Sequence, residues 1–442
     1  MNFKNINLVP AILMGVSAIA IILAVILFAT YRGAGSRSDE TAEIILWGTI
    51  SQDKFNSVIQ ELSTEDDAFR KIIYFQKNPV SYEDELLKAI AEGTGPDLVL
   101  LNETQIISNQ RRIQEIPYDS FPLRTYQDLF LDESKLLLTR TGILGFPFIV
   151  DPLVMYYNKD ILNNNGFARP PETWTEILSI VPTLTNKDSS FNISRSAVAL
   201  GSFDNITNAK QIYWTLMLQA GNPVTQRYFD EQNQIEKYSI TLHDDLNFSL
   251  NPGYAATNFF VQFSNPTKTI YSWNKSLPSS QTAFVSGDLA FYFGFASELS
   301  NIRRINPNLN FDVALMPQSQ SASRKLTYGK MDIFAIPRTS RNVTGAVNAI
   351  SKLTSIKAQK AFVTALGVPS VRRDLVSTYG VASSYEEVFN RSAIIAQGIL
   401  EPDSSSSSVI IKELIDTVVS GQYEITQALT RATQKLNATL YE

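Results

Sequence analysis

The sequence predicts an α/β protein with two packed lobes and an N-terminal transmembrane helix. Short apolar runs of strand length alternate with stretches of helical spacing, which is typical of parallel sheets covered by helices on both faces. The chain has 442 residues, and a folded part of about 400 residues is too long for one hydrophobic core. The beginning of the chain contains a long apolar run without charge.

The apolar run lies between Lys4 and Arg32, where no charged residue occurs. As a helix, Leu8–Tyr31 would be roughly 36 Å long, enough to cross a hydrocarbon core of about 30 Å. A cleaved secretory signal is the alternative, but its apolar region is usually about 7–15 residues. We therefore expect a retained transmembrane helix at residues 8–31, a short tail at 1–7 and a linker at 32–41. The charges on the two sides do not decide its orientation.

The composition argues against several classes of function. The net charge is −5, from 38 basic and 43 acidic residues, and no long block of one sign marks a nucleic-acid surface. The chain has no cysteine and one histidine, His243, so thiol chemistry, Cys/His zinc sites and haem ligation are almost excluded. We expect no cofactor, no metal and no nucleic-acid partner.

The first part of the folded chain reads as strands and helices in alternation. Period-2 or continuous apolar runs predict the strands, and apolar residues at helical spacing predict the helices. The strands are Glu43–Trp47, Lys71–Phe75 and Asp97–Leu101, and the helices are Asp53–Leu62 and Ser81–Gly93. Ser81 and Asp84 resemble a capping box at the start of the second helix. Because ligands bind outside the carboxyl ends of such strands, the loops after Trp47 and Leu101 are the first candidate sites.

The later part of the chain begins with an apolar stretch, Gly145–Tyr157, that contains two prolines and suits a crossing between lobes. Five further helices are predicted, at Pro170–Leu178, Ala209–Ala220, Gly253–Ser264, Val409–Ser420 and Tyr423–Leu440. Thr282–Phe293 combines a helix with a strand, and Phe311–Pro317 and Gly329–Pro337 are strands. Glu401–Ser408 contains five serines in a row, and its composition predicts a flexible loop.

These stretches resemble, in order, a known family. GTGPDLVLL at Gly93–Leu101, LGFPFIVDPLVMYYNKDIL at Leu144–Leu162, AFVSGDLAFYFG at Ala283–Gly294 and GKMDIFAIPRTSRN at Gly329–Asn342 carry the resemblance. They are similar to segments of extracellular solute-binding protein family 1, the carbohydrate-type binding proteins of ATP-binding-cassette (ABC) importers, whose plan is that of maltose-binding protein. No single motif decides the matter, but the ordered set covers nearly the whole folded part.

The resemblance implies a type II periplasmic-binding-protein fold, in which two α/β lobes enclose a solute by hinge closure. By this resemblance, residues 42–148 and 317–376 form lobe 1 and residues 152–312 and 380–442 form lobe 2. Residues 149–151 and 313–316 form the crossover segments. The implied partners are a small solute, in the first place a carbohydrate, and ABC permease subunits. A monomer, held in the cell membrane by its helix with the large domain on the extracytoplasmic side, is expected.

Carried over position by position, the resemblance also implies ligand contacts. The implied contact residues are Trp47, Thr49, Asn102, Glu103, Asp151, Phe203, Asn205, Trp214, Tyr292 and Phe295. Asp151 falls where a carboxylate accepts sugar hydroxyls. One position departs from the family, since Ala296 stands where many members carry a tryptophan that stacks on a sugar. Tyr292 and Phe295 are the candidates to replace it.

A structural role remains open for several of these residues. Burial at a strand end competes with ligand contact for Trp47, and backbone hydrogen bonding competes with ligand contact for Asp151. Trp174 is expected to pack in the core and Asp97 to bond nearby backbone amides.

The sequence argues against an enzyme. It has no Gly-x-Ser-x-Gly turn, and Gly93 and Gly95 precede a strand instead of opening a helix as a dinucleotide loop would. A sensory or adhesion module on the same fold is the alternative function, and a glycan hydrolase is a more remote one.

Overall fold

The computed structural model describes residues 43–232, 235–243, 251–320, 322, 324–377 and 384–440. The predicted transmembrane helix and the linker lie outside the described residues. Within the described ranges, no helix is both long and apolar enough to cross a membrane.

Helices and strands alternate along the described chain. The strands are β1 (Ile44–Gly48), β2 (Ile72–Gln76), β3 (Leu98–Asn102), β4 (Ile116–Pro117), β5 (Gly142–Ile143), β6 (Phe146–Asn158), β7 (Asn186–Lys187), β8 (Ile193–Val198), β9 (Thr225–Asp230), β10 (Ile235–Ile240), β11 (Leu289–Phe295), β12 (Phe311–Ala314), β13 (Thr327–Ala335) and β14 (Ala396–Gln397). The α-helices are α1 (Gln52–Leu62), α2 (Tyr82–Glu92), α3 (Ile106–Asn109), α4 (Leu123–Leu129), α5 (Lys159–Asn164), α6 (Trp174–Leu184), α7 (Ala209–Gln219), α8 (Pro252–Val261), α9 (Ser280–Val285), α10 (Leu299–Ile305), α11 (Val343–Leu353), α12 (Ile356–Leu366), α13 (Arg373–Val376), α14 (Ser384–Ile394), α15 (Ser404–Val419) and α16 (Ile425–Ala438). Short 3-10 helices include Glu103–Gln105, Asp132–Leu137 and Ala296–Glu298.

The strands form one long sheet that runs through both lobes. Its order is β2-β1-β3-β13-β6-β11-β8-β7, with β12 added to β6 and β14 added to β13. In the first lobe, β1 pairs in parallel with β2 and β3, and β13 returns antiparallel beside β3. In the second lobe, β11 lies between β6 and β8 and is parallel to β8. The predicted alternation of strands and helices is thus confirmed, and the sheet is mixed, with parallel pairs in each lobe and antiparallel pairs at the junction and at the β7 edge.

β6 is the strand that joins the lobes. Its first half pairs with β13, and its second half pairs with β11 and β12. The predicted crossing segment is therefore one continuous strand of 13 residues. Pro147 and Pro152 lie within it, and their fixed φ limits how the crossing can bend.

Separate apolar cores lie on the two sides of this junction. In the first lobe, Phe55 of α1 stacks on Tyr74 of β2 at 4.1 Å between ring centroids, beneath the helices α11 and α12. The second lobe buries Trp174, whose indole N–H donates to the Gln219 side chain at 2.6 Å. The packing role predicted for Trp174 is confirmed, and so is the backbone role of Asp97, which accepts the Ile45 amide at 3.1 Å.

Two local predictions are wrong. Ser81 does not cap α2, because its hydroxyl donates to Glu85 at 2.6 Å instead of accepting a backbone amide. The serine run is not a flexible loop either. Asp403 accepts the Ser406 amide as the N-cap of α15, and Ser407 is buried. Serine is a weak helix former in isolation, but packing of the helix against the second lobe outweighs that preference.

A buried ion pair ties α15 to α7. The Lys210 ammonium lies 2.7 Å from the Glu401 carboxylate, and the two side chains are only 5% and 2% exposed. The Trp214 indole N–H donates to the other Glu401 oxygen at 2.8 Å, and Lys210 also donates to the Ser404 carbonyl at 2.9 Å. Each charge is therefore compensated, which a buried ion requires to avoid a large desolvation cost.

Removal of one partner of this pair should be strongly destabilising. We expect Lys210→Met to lower the free energy of unfolding by about 3–5 kcal/mol, because it leaves the Glu401 charge buried without its cation. Urea unfolding at neutral pH measures the loss. The matched control is Lys435→Met, which breaks an exposed pair with Glu413 and should cost no more than about 1 kcal/mol. Equal losses in the two variants would contradict this account.

Candidate functional site

The candidate site lies where the carboxyl ends of the parallel strands meet the crossover. In the first lobe, Asn102 at the end of β3 pairs with Asp332 of β13. Asp151 pairs with Lys330 near the second-lobe end of the β6–β13 ladder. In the second lobe, Phe295 at the end of β11 pairs with Leu153, two residues beyond Asp151. The register therefore brings the strand ends of both lobes to the same place, as open α/β sheets require of a binding site.

Trp47 lies at the first-lobe rim of the site and is half-buried. The Lys77 ammonium sits 3.6 Å from the centroid of its ring, and Lys77 also pairs with Glu85 at 3.2 Å. Tyr82 holds the strand end by donating its hydroxyl to the Trp47 carbonyl at 3.1 Å. Thr49 follows in the turn before α1 and is also half-buried. Both residues retain surface that a ligand could touch.

Asn102 and Glu103 are neighbours in the chain but lie in different surroundings. Asn102 is half-buried, and its side-chain oxygen accepts the Thr104 amide at 3.1 Å, which caps the 3-10 helix after β3. Glu103 is 1% exposed. Its two carboxylate oxygens accept from the Tyr328 hydroxyl at 2.6 Å and the Met331 amide at 2.9 Å. Glu103 thus stabilises β13 through two hydrogen bonds, and its buried side chain has no surface that a ligand could contact.

A second carboxylate, Glu133, is buried beside Glu103. A side chain at Gly329 would meet the Glu133 carboxylate at 2.9 Å, and one at Gly398 would meet it at 3.0 Å, so glycines make room for it. Burial raises the pKa of Glu103 to about 7. Burial and the neighbouring Glu103 carboxylate raise the pKa of Glu133 well above its ordinary range. The pair therefore favours a neutral form, since two adjacent buried carboxylates repel each other when both are charged.

Asp151 and Lys330 place charge at the centre of the junction. The Asp151 carboxylate accepts the Ser297 amide of the second lobe at 3.0 Å, so it links the lobes directly. Burial raises the pKa of Asp151 to about 6. Lys330 is exposed beside it, and the Asp332 carboxylate is the main cause that raises the pKa of the Lys330 ammonium. An ammonium and two carboxyl groups thus converge where a polar ligand could contact both lobes.

The predicted second-lobe residues divide into two groups. Phe203 and Phe295 are half-buried and retain accessible ring surface. Trp214 and Tyr292 are each 1% exposed. The Trp214 indole is engaged with Glu401, and the Tyr292 hydroxyl donates to Glu298, so both belong to the interior.

Asn205 is half-buried, but its amide is fully engaged by the protein. It donates to the carbonyls of Asn274 and Leu277 at 2.8 and 3.0 Å and accepts the Trp273 indole N–H at 3.0 Å. These bonds hold the loop before α9 in place. Asn205 therefore has no free polar atom to offer without breaking an internal hydrogen bond.

The family model for bacterial extracellular solute-binding proteins matches residues 58–387. This chain belongs to that family. The match covers most of the described residues in both lobes, and the family predicted from the sequence is confirmed. Its members are extracellular proteins that bind solutes, which agrees with the expected extracytoplasmic placement of the folded part.

Solved structures share this fold at low sequence identity. A cyclo/maltodextrin-binding protein complexed with maltotetraose has a TM-score of 0.71 and 15% identity, over 92% of this chain and 98% of that one. The sugar-binding protein MalE of Xanthomonas citri has a TM-score of 0.69 and 15% identity, over 90% and 98%. The GacH receptor of Streptomyces glaucescens has a TM-score of 0.64 and 16% identity, over 91% and 99%. This likeness confirms the two-lobed periplasmic-binding-protein fold.

The sequence predictions missed three charged residues at the junction. Lys330 and Asp332 alternate with buried Met331 and Ile333 in β13, and that period-2 alternation in a crossover strand was a usable signal. Glu133 gave no signal. It lies in a short polar segment that resembles an exposed turn, and only the tertiary fold shows that it is 3% exposed.

The raised pKa of Asp151 predicts a pH dependence of stability. The unfolded chain releases this proton near pH 4, whereas the folded protein keeps it until about pH 6. The folded state binds more protons in that window, so stability falls as the pH rises from about 4 to 6. We expect this fall to be at most about 2 kcal/mol, since part of the side chain is exposed.

Asp151→Asn removes this titration. Urea unfolding at several pH values measures the difference in unfolding free energy, wild type minus variant. That difference should decrease between about pH 4 and pH 6 and then level off. A difference that is constant or increases across this window would show that burial does not control the Asp151 carboxyl.

Proposed function

We propose that this protein captures a small carbohydrate or oligosaccharide between its lobes and delivers it to the permease of an ABC importer. The observation that carries the proposal is the junction itself. Two continuous strands, β6 and β13, join the lobes, Asp151 and Lys330 lie opposite each other on them, and half-buried aromatic residues of both lobes follow or end neighbouring strands. Such a junction suits a binding protein that closes on its ligand, and we place the protein among binding proteins, not enzymes.

The side chains at the junction favour a sugar-like ligand. Trp47, Phe203 and Phe295 offer flat apolar surface, while Asp151 and Lys330 offer an acceptor and a donor. This mixture matches the CH faces and hydroxyls of a sugar ring. The related structures support the same class, since one is complexed with maltotetraose and another is bound with α-D-tagatose.

The mechanism that we propose is a population shift between open and closed arrangements of the lobes. The Asp151–Ser297 hydrogen bond is a contact between the lobes at the hinge, and a ligand that touches both rims adds further contacts in the closed form alone. Such differential contact is what moves the equilibrium towards closure. The closed, loaded form would then dock on the permease.

We propose further that Leu8–Tyr31 anchors the protein as a single membrane-spanning helix. The linker at 32–41 would then place the monomeric, two-lobed part on the extracytoplasmic side, near the permease. Its length and the lack of charge support this role. Alkaline carbonate extraction of membranes that contain the full-length protein tests it, because a membrane-spanning protein remains in the pellet and a cleaved one is released.

A ligand screen tests the binding function directly. Thermal unfolding of the full-length protein in detergent is measured with mono-, di- and oligosaccharides, polyols, amino acids and short peptides. A ligand at about a hundredfold excess over Kd should stabilise the folded state by about 2.7 kcal/mol. Stabilisation by one class of sugar would support the proposal. No shift with any of these solutes would reject solute capture and favour a sensory or adhesion role.

Trp47→Ala should weaken binding of the sugar found in that screen by about tenfold, because it removes a stacking surface at the rim. Isothermal titration calorimetry measures the change. Tyr254→Ala is the matched control, since Tyr254 is an exposed aromatic residue on α8 that is 45% accessible and should leave the affinity unchanged. Equal affinity in wild type and Trp47→Ala would remove Trp47 from the site.

A further inference from the structure

A cavity of about 1410 Å³ lies between the two lobes beside the junction. Its first-lobe wall includes Ile107 and the segment 110–112, and its second-lobe wall includes Phe229, Tyr238 and the start of α15 at 402–406. None of the ten residues predicted to contact ligand lines it. The volume exceeds the 300–1,000 Å³ or so that is usual for a single small ligand, so the cavity has room for several linked groups.

The β9–β10 hairpin closes one side of this cavity. Arg227 of β9 donates to the carbonyls of Leu136 and Leu138 in the first lobe. Glu236 of β10 accepts the backbone amide of Arg140 at 2.8 Å, and the Arg140 guanidinium lies 4.7 Å from the centroid of the Phe229 ring. The cavity is therefore a feature of the assembled lobes, and a ligand in it would contact both of them.

The acidic side chains of the cavity are already engaged by the protein. Glu115 accepts the hydroxyls of Thr139 and Thr141 at 2.7 and 2.6 Å. Glu236 pairs with Arg227 at 3.5 Å. Asp403 caps α15 by accepting the Ser406 amide. These three acidic side chains face five basic ones in the cavity lining, Arg111, Arg112, Arg140, Lys237 and Arg338, so positive charge remains available to an anion.

Three arginines of the first lobe, unlike these carboxylates, have no oppositely charged side chain in an ion pair with them among the described residues. Arg112 donates to the Ser108 carbonyl at 2.7 Å, and Arg338 donates to the Ile113 carbonyl at 2.9 Å. The backbone amide of Arg338 bonds the Arg112 carbonyl at 2.7 Å, so the two segments lie side by side, and Arg111 is adjacent and exposed. Across the ranges that the structure describes, no ion pair uses these three guanidiniums. Backbone carbonyls orient Arg112 and Arg338, and a carbonyl carries no net charge to neutralise them.

We propose that this cavity binds the acidic groups of an anionic oligosaccharide that is held between the lobes. The guanidinium fork matches a carboxylate or a sulfate in a two-point contact, which a neutral sugar cannot provide. The half-buried ring of Phe229 adds apolar surface beside the arginines, which suits the CH face of a sugar. This inference deepens the proposed function and rests on it, since it names the charge class of the captured saccharide.

Calorimetric titration of the full-length protein in detergent tests the inference. The probes are tetragalacturonate, a sulfated tetrasaccharide and neutral maltotetraose, each at low and high NaCl. We expect an acidic probe to bind more tightly than maltotetraose and to lose affinity as salt screens the charges. Arg111→Gln and Arg338→Gln should each lower the affinity for the acidic probe by about tenfold or more, because each variant loses a charged hydrogen bond to it. Arg124→Gln is the control, since the Arg124 side chain is 93% exposed on α4, outside the cavity.

The outcomes separate this inference from the proposed function. A loss of affinity for acidic probes alone in Arg111→Gln or Arg338→Gln supports binding of the acidic group in the cavity. Comparison of the galacturonate and sulfated probes shows which acidic group is bound. Binding of neutral sugars with no response to either acidic probe would overturn the cavity proposal and leave sugar capture intact. Acidic-probe affinity that is equal in wild type and both cavity variants would also overturn it. No binding by any of the probes would contradict the anionic class, and the broader solute screen then decides the function separately.

Discussion

β6 and β13 run antiparallel through the junction of the two lobes, and this pairing sets the positions of Asp151, Lys330 and Asp332. The ladder extends from Phe146 to Pro152 on β6, with an irregularity between Asp332 and Ile333 on β13. A hydrogen-bonded ladder resists separation of its strands but tolerates twist, as sheets generally do. Under the proposed mechanism the lobes rotate about this ladder, and Asp151 and Lys330 lie near its second-lobe end. The same pairing brings the ends of β3 and β11, which lie far apart in sequence, to one site.

Buried, hydrogen-bonded polar groups fix the local packing of the strands and helices near this junction. Glu103 holds β13 through Tyr328 and Met331, and Lys210 with Glu401 holds α15 against α7. A buried polar group is costly unless its hydrogen bonds are satisfied, so any other packing of these strands would be strongly disfavoured. The raised pKa of Glu103 and Asp151 is the electrostatic consequence of the same burial. Charge that remains accessible, at Lys330 and around the cavity, is left for a ligand.

The fold was largely predictable because its elements follow simple periodicities. The helical spacing of Phe55, Val58, Ile59 and Leu62 predicted α1, and all four side chains are buried in the structure. The candidate site was less predictable. Trp47 and Phe295 are half-buried at strand ends, so their ligand contact stays a prediction. Trp214 and Tyr292 lie in the interior, because an aromatic residue near a strand or helix end suits either role. The serine run of α15 and the cap at Ser81 depended on tertiary contacts that no local pattern contains.

The sequence by itself determined the class of the protein: the order of strands and helices, the family, and the apolar segment before the folded part. These properties depend on local spacing and composition, which are visible in one dimension. Only the tertiary structure decided which charged groups are buried and which face a ligand. Glu103, Glu133 and Lys330 are all ordinary charged residues in the sequence, yet the first two are enclosed by the junction and the third is exposed beside it. Burial, and with it the pKa of each group, depends on neighbours supplied by distant segments, so it could not be read from the chain alone.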